Sequence, residues 1–430
     1  MLKNALTRRG FLAGAAAATA ATATTALSGC GSTAQDGRVP IEIVSYKQEA
    51  TEIFAKVQED INAANDHIRL TISSPHDATT IMRTRFVRSD YPDIIGIGGD
   101  ATFSEFVDAG ILTDVSSFDG ISKVKKGYLD ILNSLTYVPM PGIYGVPYVA
   151  NAAGILYNRT MFQEHGWDTP EDWGSFIALC DAIKAEGIQP LYFGFRDTWT
   201  CLAPWNALAV ELCPEDLCLQ VNEGKAKFAD YLREPAEKLR TMLDYAEEGP
   251  FAYAYNDACT AFANGQSAMY PIGSYAIPQI LSVNPDMDID SFVMPATDTP
   301  DGRKLNSGVD LQFCVCDACP HKEEAFEVID YLLSEDIIQT YIDDQTAVPC
   351  TEGEFTLTPM LDGMRSFIEE GNVVDFQDHH YPAAMAVDAQ IQTYLLGGDV
   401  DAFMQKFDTD WQRYNRDIIR KVQEYNQSQQ

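Results

Sequence analysis

The chain has 430 residues, of which 46% are apolar, and it carries a formal charge of −33 at pH 7. That length allows two or three domains, and the apolar content is enough for sizeable cores, which excludes a disordered chain. The acidic excess repels nucleic acid and anionic lipid, which excludes both as natural partners and leaves the fold open.

The chain begins with signals for export. Thr7-Arg8-Arg9-Gly10-Phe11-Leu12 is a twin-arginine signature, and residues 13–27 form an Ala- and Thr-rich, weakly apolar segment. It is too short and too weakly apolar for a membrane span. Leu27-Ser28-Gly29-Cys30 then looks like a bacterial lipobox, in which the Cys30 thiol is lipidated and becomes the first mature residue. The bland alternative is an Ala-rich tail with an incidental cysteine. Residues 1–29 are therefore read as a signal peptide and 30–40 as a lipidated tether. Several acyl chains on one residue anchor a protein stably, whereas a single chain is marginal. The expected location is the outer face of the cytoplasmic membrane.

Residues 41–46 alternate apolar and polar and predict a first strand. Residues 50–65 predict a helix, with Ile53, Phe54, Val57 and Ile61 on one face. A strand over 68–72, a helix over 79–88 and a strand over 91–97 follow. The next helix, 103–109, is closed by Gly110. This β-α-β-α-β order predicts a doubly wound α/β lobe, which takes ligands beyond the carboxyl ends of its strands.

The run from Gly142 to Asn158 has no charge and reads as a strand buried on both faces. Asn151 interrupts it, and a buried amide needs partners from the protein or from a ligand. Val146-Pro147-Tyr148 followed by Ile155-Leu156-Tyr157-Asn158 resembles the lobe-crossing segment of extracellular solute-binding proteins, the maltodextrin-binding type of carbohydrate receptor. Pro92-Asp93-Ile94-Ile95, Ala109-Gly110-Ile111-Leu112-Thr113-Asp114, Asp168-Thr169-Pro170-Glu171-Asp172-Trp173 and Gly273-Ser274-Tyr275 match the same pattern in order and spacing. Within Asp168–Trp173, Thr169 reads as the helix N-cap, with Asp172 in a capping-box position. The resemblance covers roughly residues 40–410.

It implies a type II, two-lobed α/β fold joined by a three-crossing hinge. Lobe one is expected at 41–150 with 271–309, and lobe two at 151–270 with 310–430. Gly273-Ser274-Tyr275 and Gly308-Val309-Asp310 mark the second and third crossings. Helices over 325–333 and 407–425 are expected on the second lobe.

Several motifs carry competing readings. Gly96-Ile97-Gly98-Gly99-Asp100-Ala101 fits a loose dinucleotide pattern, but Asp100 would repel a pyrophosphate. It is read as a loop that presents Asp100 to a neutral ligand or caps the next helix. Asp286-Met287-Asp288-Ile289-Asp290 lacks the Gly and Glu of a calcium loop and reads as a solvated acidic loop. Nine cysteines follow Cys30, and Cys213 with Cys218 could form a local disulfide. Cys314, Cys316, Cys319 and His321 invite a zinc reading; a buried strand with both thiols on one face is preferred. His379 and His380 lack metal spacing. No metal or cofactor is expected.

Sugars present apolar C–H faces and a rim of hydroxyls, so their sites combine aromatic platforms with planar hydrogen-bonding groups. Trp199, Tyr275 and Tyr381 are the candidate aromatics, while Trp205 reads as core. Glu49, Asp100, Asn151 and Asp310 are the candidate polar contacts; Glu49 could instead cap the following helix. The function these readings support is a substrate-binding lipoprotein of an ABC importer, not an enzyme. It would take a sugar or oligosaccharide between two lobes and, as a monomer, deliver it to the permease. The alternatives are a membrane-anchored glycan hydrolase or lyase, and the same fold binding a polyamine.

Overall fold

The computed structural model describes residues 37–429. The twin-arginine segment and Cys30 lie outside these residues. The strands are β1 (Val39–Ser45), β2 (Ile68–Ser73), β3 (Ile94–Ile97), β4 (Val146–Ala150), β5 (Ile155–Asn158), β6 (Met269–Tyr270), β7 (Ile289–Phe292), β8 (Leu305–Asn306), β9 (Val309–Val315), β10 (Val348–Pro349) and β11 (Val373–Val374).

β1, β2 and β3 are parallel and are joined by the helices Thr51–Ala64 and Ala78–Val87. The first helix buries Ile53, Phe54, Val57 and Ile61, the face its spacing predicts. These strands belong to a six-stranded sheet in the order β10-β4-β9-β3-β1-β2. A second sheet has the order β6-β5-β7. The chain passes from one to the other within 151–154, between β4 and β5. The large sheet lies in one apolar core, with Ile43, Ile95, Val149 and Phe313, whereas the second sheet buries one face toward that core through Leu156, Tyr270 and Ile289 and the other in a second core that holds Phe176, Trp205, Phe228 and Trp411.

The expected lobe boundaries do not follow the sheets. β7 pairs with β5, and the helix Ile277–Val283 packs on Tyr255–Ala263, so most of 271–306 stays with the second sheet. β9 enters the six-stranded sheet between β3 and β4, antiparallel to both. The helix Lys322–Leu332 packs on β9 and β1, so it flanks the first sheet rather than the second. The reason is burial. β9 has six of its seven residues buried, Gln312 among them, and its backbone needs a hydrogen-bonding neighbour on each side. The centre of the large sheet provides both.

Gly273-Ser274-Tyr275 is thus no crossing. It packs against one, with the Ser274 N–H donating to the Ala152 carbonyl at 2.7 Å. The second passage lies at 307–308, between β8 and β9. The third lies in the 350s, between the bridge of Thr351 to Val124 and the turn Pro359–Met364, which packs on β7.

Two helix ends also differ. Asp172, not Thr169, is the N-cap of Trp173–Ala185, in a reciprocal capping box with Ser175. The long helix expected over 407–425 is two, Val400–Tyr414 and Arg416–Ser428, separated at Asn415. The second of these bonds Glu223 through Asn426 and also reaches Asp108 through Lys421, 2.7 Å away, so it does not rest on the second lobe alone.

Gly154 shows how closely the first crossing is packed. A Cβ there would lie 2.5 Å from the Phe292 carbonyl oxygen and 2.6 Å from the Met364 methyl. Gly154→Ala is expected to lower unfolding stability by about 1–3 kcal/mol, as overpacking does. Urea denaturation of the purified protein measures this, and an unchanged midpoint would contradict the packing described.

Candidate functional site

The arrangement of the large sheet gathers polar groups at one edge. β1 and β3 are parallel, so their carboxyl ends lie together. β9 is antiparallel to β3, so its amino end lies at that same edge. β4, antiparallel to β9, brings its own carboxyl end there. Tyr46 and Lys47 after β1, Asn151 after β4 and Asp310 at the start of β9 therefore converge.

Asp310 is the centre of the group. Lys47 Nζ lies 2.9 Å from one carboxylate oxygen and 2.7 Å from the other. Asn151 Nδ2 donates to Asp310 Oδ1 at 2.9 Å, and the Tyr46 hydroxyl donates to the Asp310 backbone carbonyl. Lys47 is only 8% exposed. Burial disfavours its ammonium, but the Asp310 carboxylate outweighs burial and holds the amine well above its ordinary range. Glu49 adds a second carboxylate, 2.7 Å from Lys47 Nζ. Burial, then Asp310, pushes the Tyr46 phenol up, so it stays a donor.

The facing wall comes from the second side of the molecule. Trp199 is 41% exposed, among the few large apolar side chains left open. Its ring lies 5.0 Å from that of Tyr255 and 6.1 Å from that of Tyr275. Polar groups border the aromatics. Asn206 donates to Asp378 at 2.7 Å, and His379 Nδ1 lies 2.8 Å from Asp375. Burial opposes the charged imidazole, but Asp375, Asp378 and Asp100 overcome it and raise His379 to about 10. Burial pushes the Asp378 carboxyl up. The two walls enclose a cleft of about 740 Å³.

Five of the seven expected contacts line this cleft: Glu49, Asn151, Trp199, Tyr275 and Asp310. Glu49 does not cap the helix after it, whose N-cap is Ala50. Asn151, which needed a partner from the protein or from a ligand, has one from the protein in Asp310 and still borders the cleft. Asp100 lines an adjoining chamber of about 360 Å³ and also caps the helix Ala101–Asp108, accepting from the Thr102 N–H at 2.7 Å. The capping reading of Asp100 therefore holds, and its carboxylate also borders open space.

Tyr381 does not line the cleft; it reaches the wall of the adjoining chamber but is packed mostly in the core. It is 6% exposed, its ring meets Phe407 and Trp411 edge-on, and its hydroxyl accepts from Trp205 Nε1 at 3.4 Å. An aromatic of this size goes where it buries most surface, and the neighbouring rings of Val400–Tyr414 provide that place. Trp205 is fully buried, as expected.

Sequence reasoning missed Tyr46, Lys47, Asn206, Tyr255, Asp378 and His379. Lys47 directly follows a strand and stands two residues before Glu49, a spacing that reads as a solvated pair, so its place in the site carried no local signal. Asp290 is not in a solvated loop: it lies in β7, 3.0 Å from Arg159 and 3.2 Å from the Tyr157 hydroxyl. Cys213 and Cys218 are both free and buried rather than bonded to each other. Cys314 is buried in β9 and Cys316 just after it, and the Cys319 thiol lies 3.2 Å from Asp93.

Lys47→Met would leave the Asp310 carboxylate without its cation in a nearly closed setting. Removing one partner of such a pair costs about 3–5 kcal/mol. The double variant Lys47→Met with Asp310→Asn is expected to recover much of that loss. Chemical denaturation of the three proteins checks this, and additive losses would contradict the pairing.

A multiple sugar-binding protein of Streptococcus mutans is 27% identical over 360 residues, covering 81% of this chain and 83% of its own. Among solved structures, apo RafE of Streptococcus pneumoniae superposes with a TM-score of 0.76 at 24% identity, covering 86% of this chain and 96% of its own. A sugar transporter protein of Bacillus licheniformis, solved with stachyose, has a TM-score of 0.69 at 17% identity, covering 87% and 100%. These structures share the two-lobed α/β fold that the sequence predicts. A family model described as bacterial extracellular solute-binding protein matches residues 47–338. The chain belongs to the bacterial extracellular solute-binding proteins.

Proposed function

We propose that this protein is the receptor of an ABC importer for a sugar or oligosaccharide, held between Trp199, Tyr255 and Tyr275 on one wall and the Lys47–Asp310–Asn151 group on the other. The observation that carries this reading is the exposed Trp199 ring, backed by two further aromatics and facing a cluster of planar polar groups. A sugar's C–H face needs such a platform, and its hydroxyls need donors and acceptors fixed in place. The names of the related proteins agree with it: multiple sugars, and stachyose.

The charge pattern supports a neutral solute. Asp310 and Glu49 both pair with Lys47, and Asp378 accepts from Asn206. A polyamine would need unpaired carboxylates. A glycan hydrolase would need two carboxyl groups free to act on either side of the scissile bond, and in this cleft Asp310 is held by Lys47 and Asn151 and Asp378 by Asn206.

The lobes would close over the sugar by movement at the three crossings, and the closed form would dock on the permease. The protein would act as a monomer on the outer face of the cytoplasmic membrane, exported by the twin-arginine route and held there through lipidated Cys30. Among the described residues no helix is long and apolar enough to cross a membrane.

A thermal-shift screen over mono- and oligosaccharides, with polyamines alongside, tests the ligand class. A ligand at 100 times its dissociation constant adds about 2.7 kcal/mol. Trp199→Ala is then expected to weaken binding of the responding sugar by about 1–3 kcal/mol, with its unfolding midpoint unchanged. A response to polyamines alone would defeat the sugar reading.

For the anchor, Cys30→Ser is expected to release the protein from the membrane fraction. Undiminished partitioning of that variant into detergent would defeat the lipobox reading.

A further inference from the structure

The floor of the cleft rests on a carboxylate that the cleft does not expose. Asp375 is 6% exposed and is not among the residues that line the cleft or the chamber beside it. The pairing of β11 with β8 puts it there. The Ser307 N–H donates to the Val374 carbonyl at 3.0 Å, so the residue after Val374 lies against Gly308 and the second crossing. A carboxylate removed from water needs a partner. Among the described residues its side chain has one hydrogen bond, with His379 Nδ1 at 2.8 Å. The other oxygen, Oδ2, is buried without one; His380 Nε2 lies 3.6 Å from it, beyond bonding reach.

His379 is the opposite case. Its side chain is 22% exposed and lines both the cleft and the adjoining chamber. Nδ1 is taken by Asp375. Phe376 packs against the ring with centroids 5.0 Å apart, and the crossing confines its edge, where a Cβ on Gly308 would come within 2.6 Å of Cε1. Nε2 has no protein partner among the described residues and is not one of the buried polar atoms that lack one. It is the nitrogen left for a solute.

The surrounding charges settle what Nε2 can offer. Asp375 and Asp378 face the ring from its own turn, and Asp100 faces it from the loop after β3. Their carboxylates outweigh burial and raise the imidazole to about 10. His380, on the far side of Asp375, is pulled down by burial, and its Nδ1 lies 3.1 Å from the Tyr137 hydroxyl, so it brings no second cation. From the helix Leu202–Leu212 the facing group is the neutral Asn206. Arg83 and Asp388, in the adjoining chamber, are engaged by Glu105 and Thr198. Lys47, in the cleft, is held by Asp310 and Glu49. A neutral ring bonded through Nδ1–H would leave Nε2 an acceptor, whereas an imidazolium makes it a donor.

We propose that Asp375 is a positioning residue for the solute site: the buried carboxylate fixes the His379 ring through Nδ1 and keeps Nε2–H as a donor, so that the cleft floor binds an oxygen of the solute that accepts. This rests on the carbohydrate reading above. It adds a residue that the solute does not touch and the polarity of one contact. A sugar hydroxyl, a ring oxygen or an acyl carbonyl can accept; an ammonium, which only donates, is refused.

Long-range proton–nitrogen NMR of the protein without solute reads the ring directly, and His379→Gln identifies its signals among the six histidines. Both nitrogens of His379 are expected to stay protonated between about pH 5 and 8, where an ordinary histidine loses its charge. In Asp375→Asn the ring is expected to titrate within that range. Asparagine keeps an acceptor for Nδ1 and removes only the charge, so a carboxylate that merely held the ring in place would not give this change.

Raffinose, stachyose and N,N′-diacetylchitobiose are then titrated by calorimetry over the same pH range. For each that binds, wild-type affinity is expected to stay level. In Asp375→Asn it is expected to fall by about tenfold as pH rises through the titration of the ring, when Nε2 becomes an acceptor. His379→Phe is expected to weaken binding by about tenfold at every pH. His379→Gln, which restores a donor, is expected to recover part of that loss with no dependence on pH.

A wild-type His379 that titrates like an ordinary histidine, or an Asp375→Asn variant with the wild-type pH profile, overturns the pairing. A His379→Phe variant that binds as tightly as the wild type overturns the donor role. Each of these results leaves the carbohydrate reading in place. Failure of every saccharide to bind the wild type defeats the carbohydrate reading and the donor role with it, while the NMR of the free protein still decides the state of the ring.

Discussion

The carboxylate of Asp310 is the constraint on which the site depends. It joins three segments distant in sequence: Lys47 after β1, Asn151 after β4, and its own position on β9. A carboxylate and an ammonium removed from water carry a large desolvation cost, offset only when geometry is good and remaining bonds are made. Here both carboxylate oxygens are engaged by Lys47, and Asn151 adds a further donor. The direction of β9 makes this possible. Were β9 parallel to its neighbours, Asp310 would lie at the opposite edge of the sheet, away from Lys47. The antiparallel insertion therefore fixes where the polar wall stands, and the Asn151 bond ties that wall to the first crossing.

The fold was legible where periodicity is strong. The β1-to-β3 region alternates cleanly between two-residue and 3.6-residue patterns, and its elements fall within a few residues of expectation. The crossings were harder. Gly273-Ser274-Tyr275 has the turn residues of a crossing but packs beside one, since strand membership depends on partners far away in sequence. The stretch around Cys314 and Cys316 reads as a buried strand, yet nothing local says which sheet will bury it.

The site was legible in part, and for a physical reason. Trp199 and Tyr275 stand out as aromatics near turns, and Asn151 as an amide in an apolar run. Lys47 did not, because a lysine beside a glutamate is ordinarily a solvated pair; only the fold shows its ammonium enclosed. Tyr255, Asn206 and His379 sit on helices or short turns whose composition gives no sign of which face meets the cleft. Tyr381 shows the converse error. An aromatic in a late loop was expected to reach the ligand, but the rings of Phe407 and Trp411 and Trp205 Nε1 offered it more contact inside.

The two walls of the cleft solve different problems. The polar wall consists of groups that already have protein partners, so a ligand hydroxyl meets donors and acceptors whose positions are fixed before it arrives. Little ordering is then required on binding, which favours affinity. The aromatic wall leaves Trp199 open to water, and on the proposed reading a sugar face would cover it and remove apolar surface from solvent. Between them lies His379, whose ring also approaches the crossing: a Cβ on Gly308 would come within 2.6 Å of its Cε1 and 2.5 Å of the Asp375 carboxylate. The absence of a side chain at position 308 is what lets the second passage run directly beneath the cleft floor. The floor and the crossing are thus in contact, so a change in the angle between the sheets must move the His379–Asp375 pair relative to the polar wall. Movement at the crossings and the shape of the cleft are therefore one mechanical problem, and the charge pairs on either side of Gly308 set the two surfaces that such movement brings together.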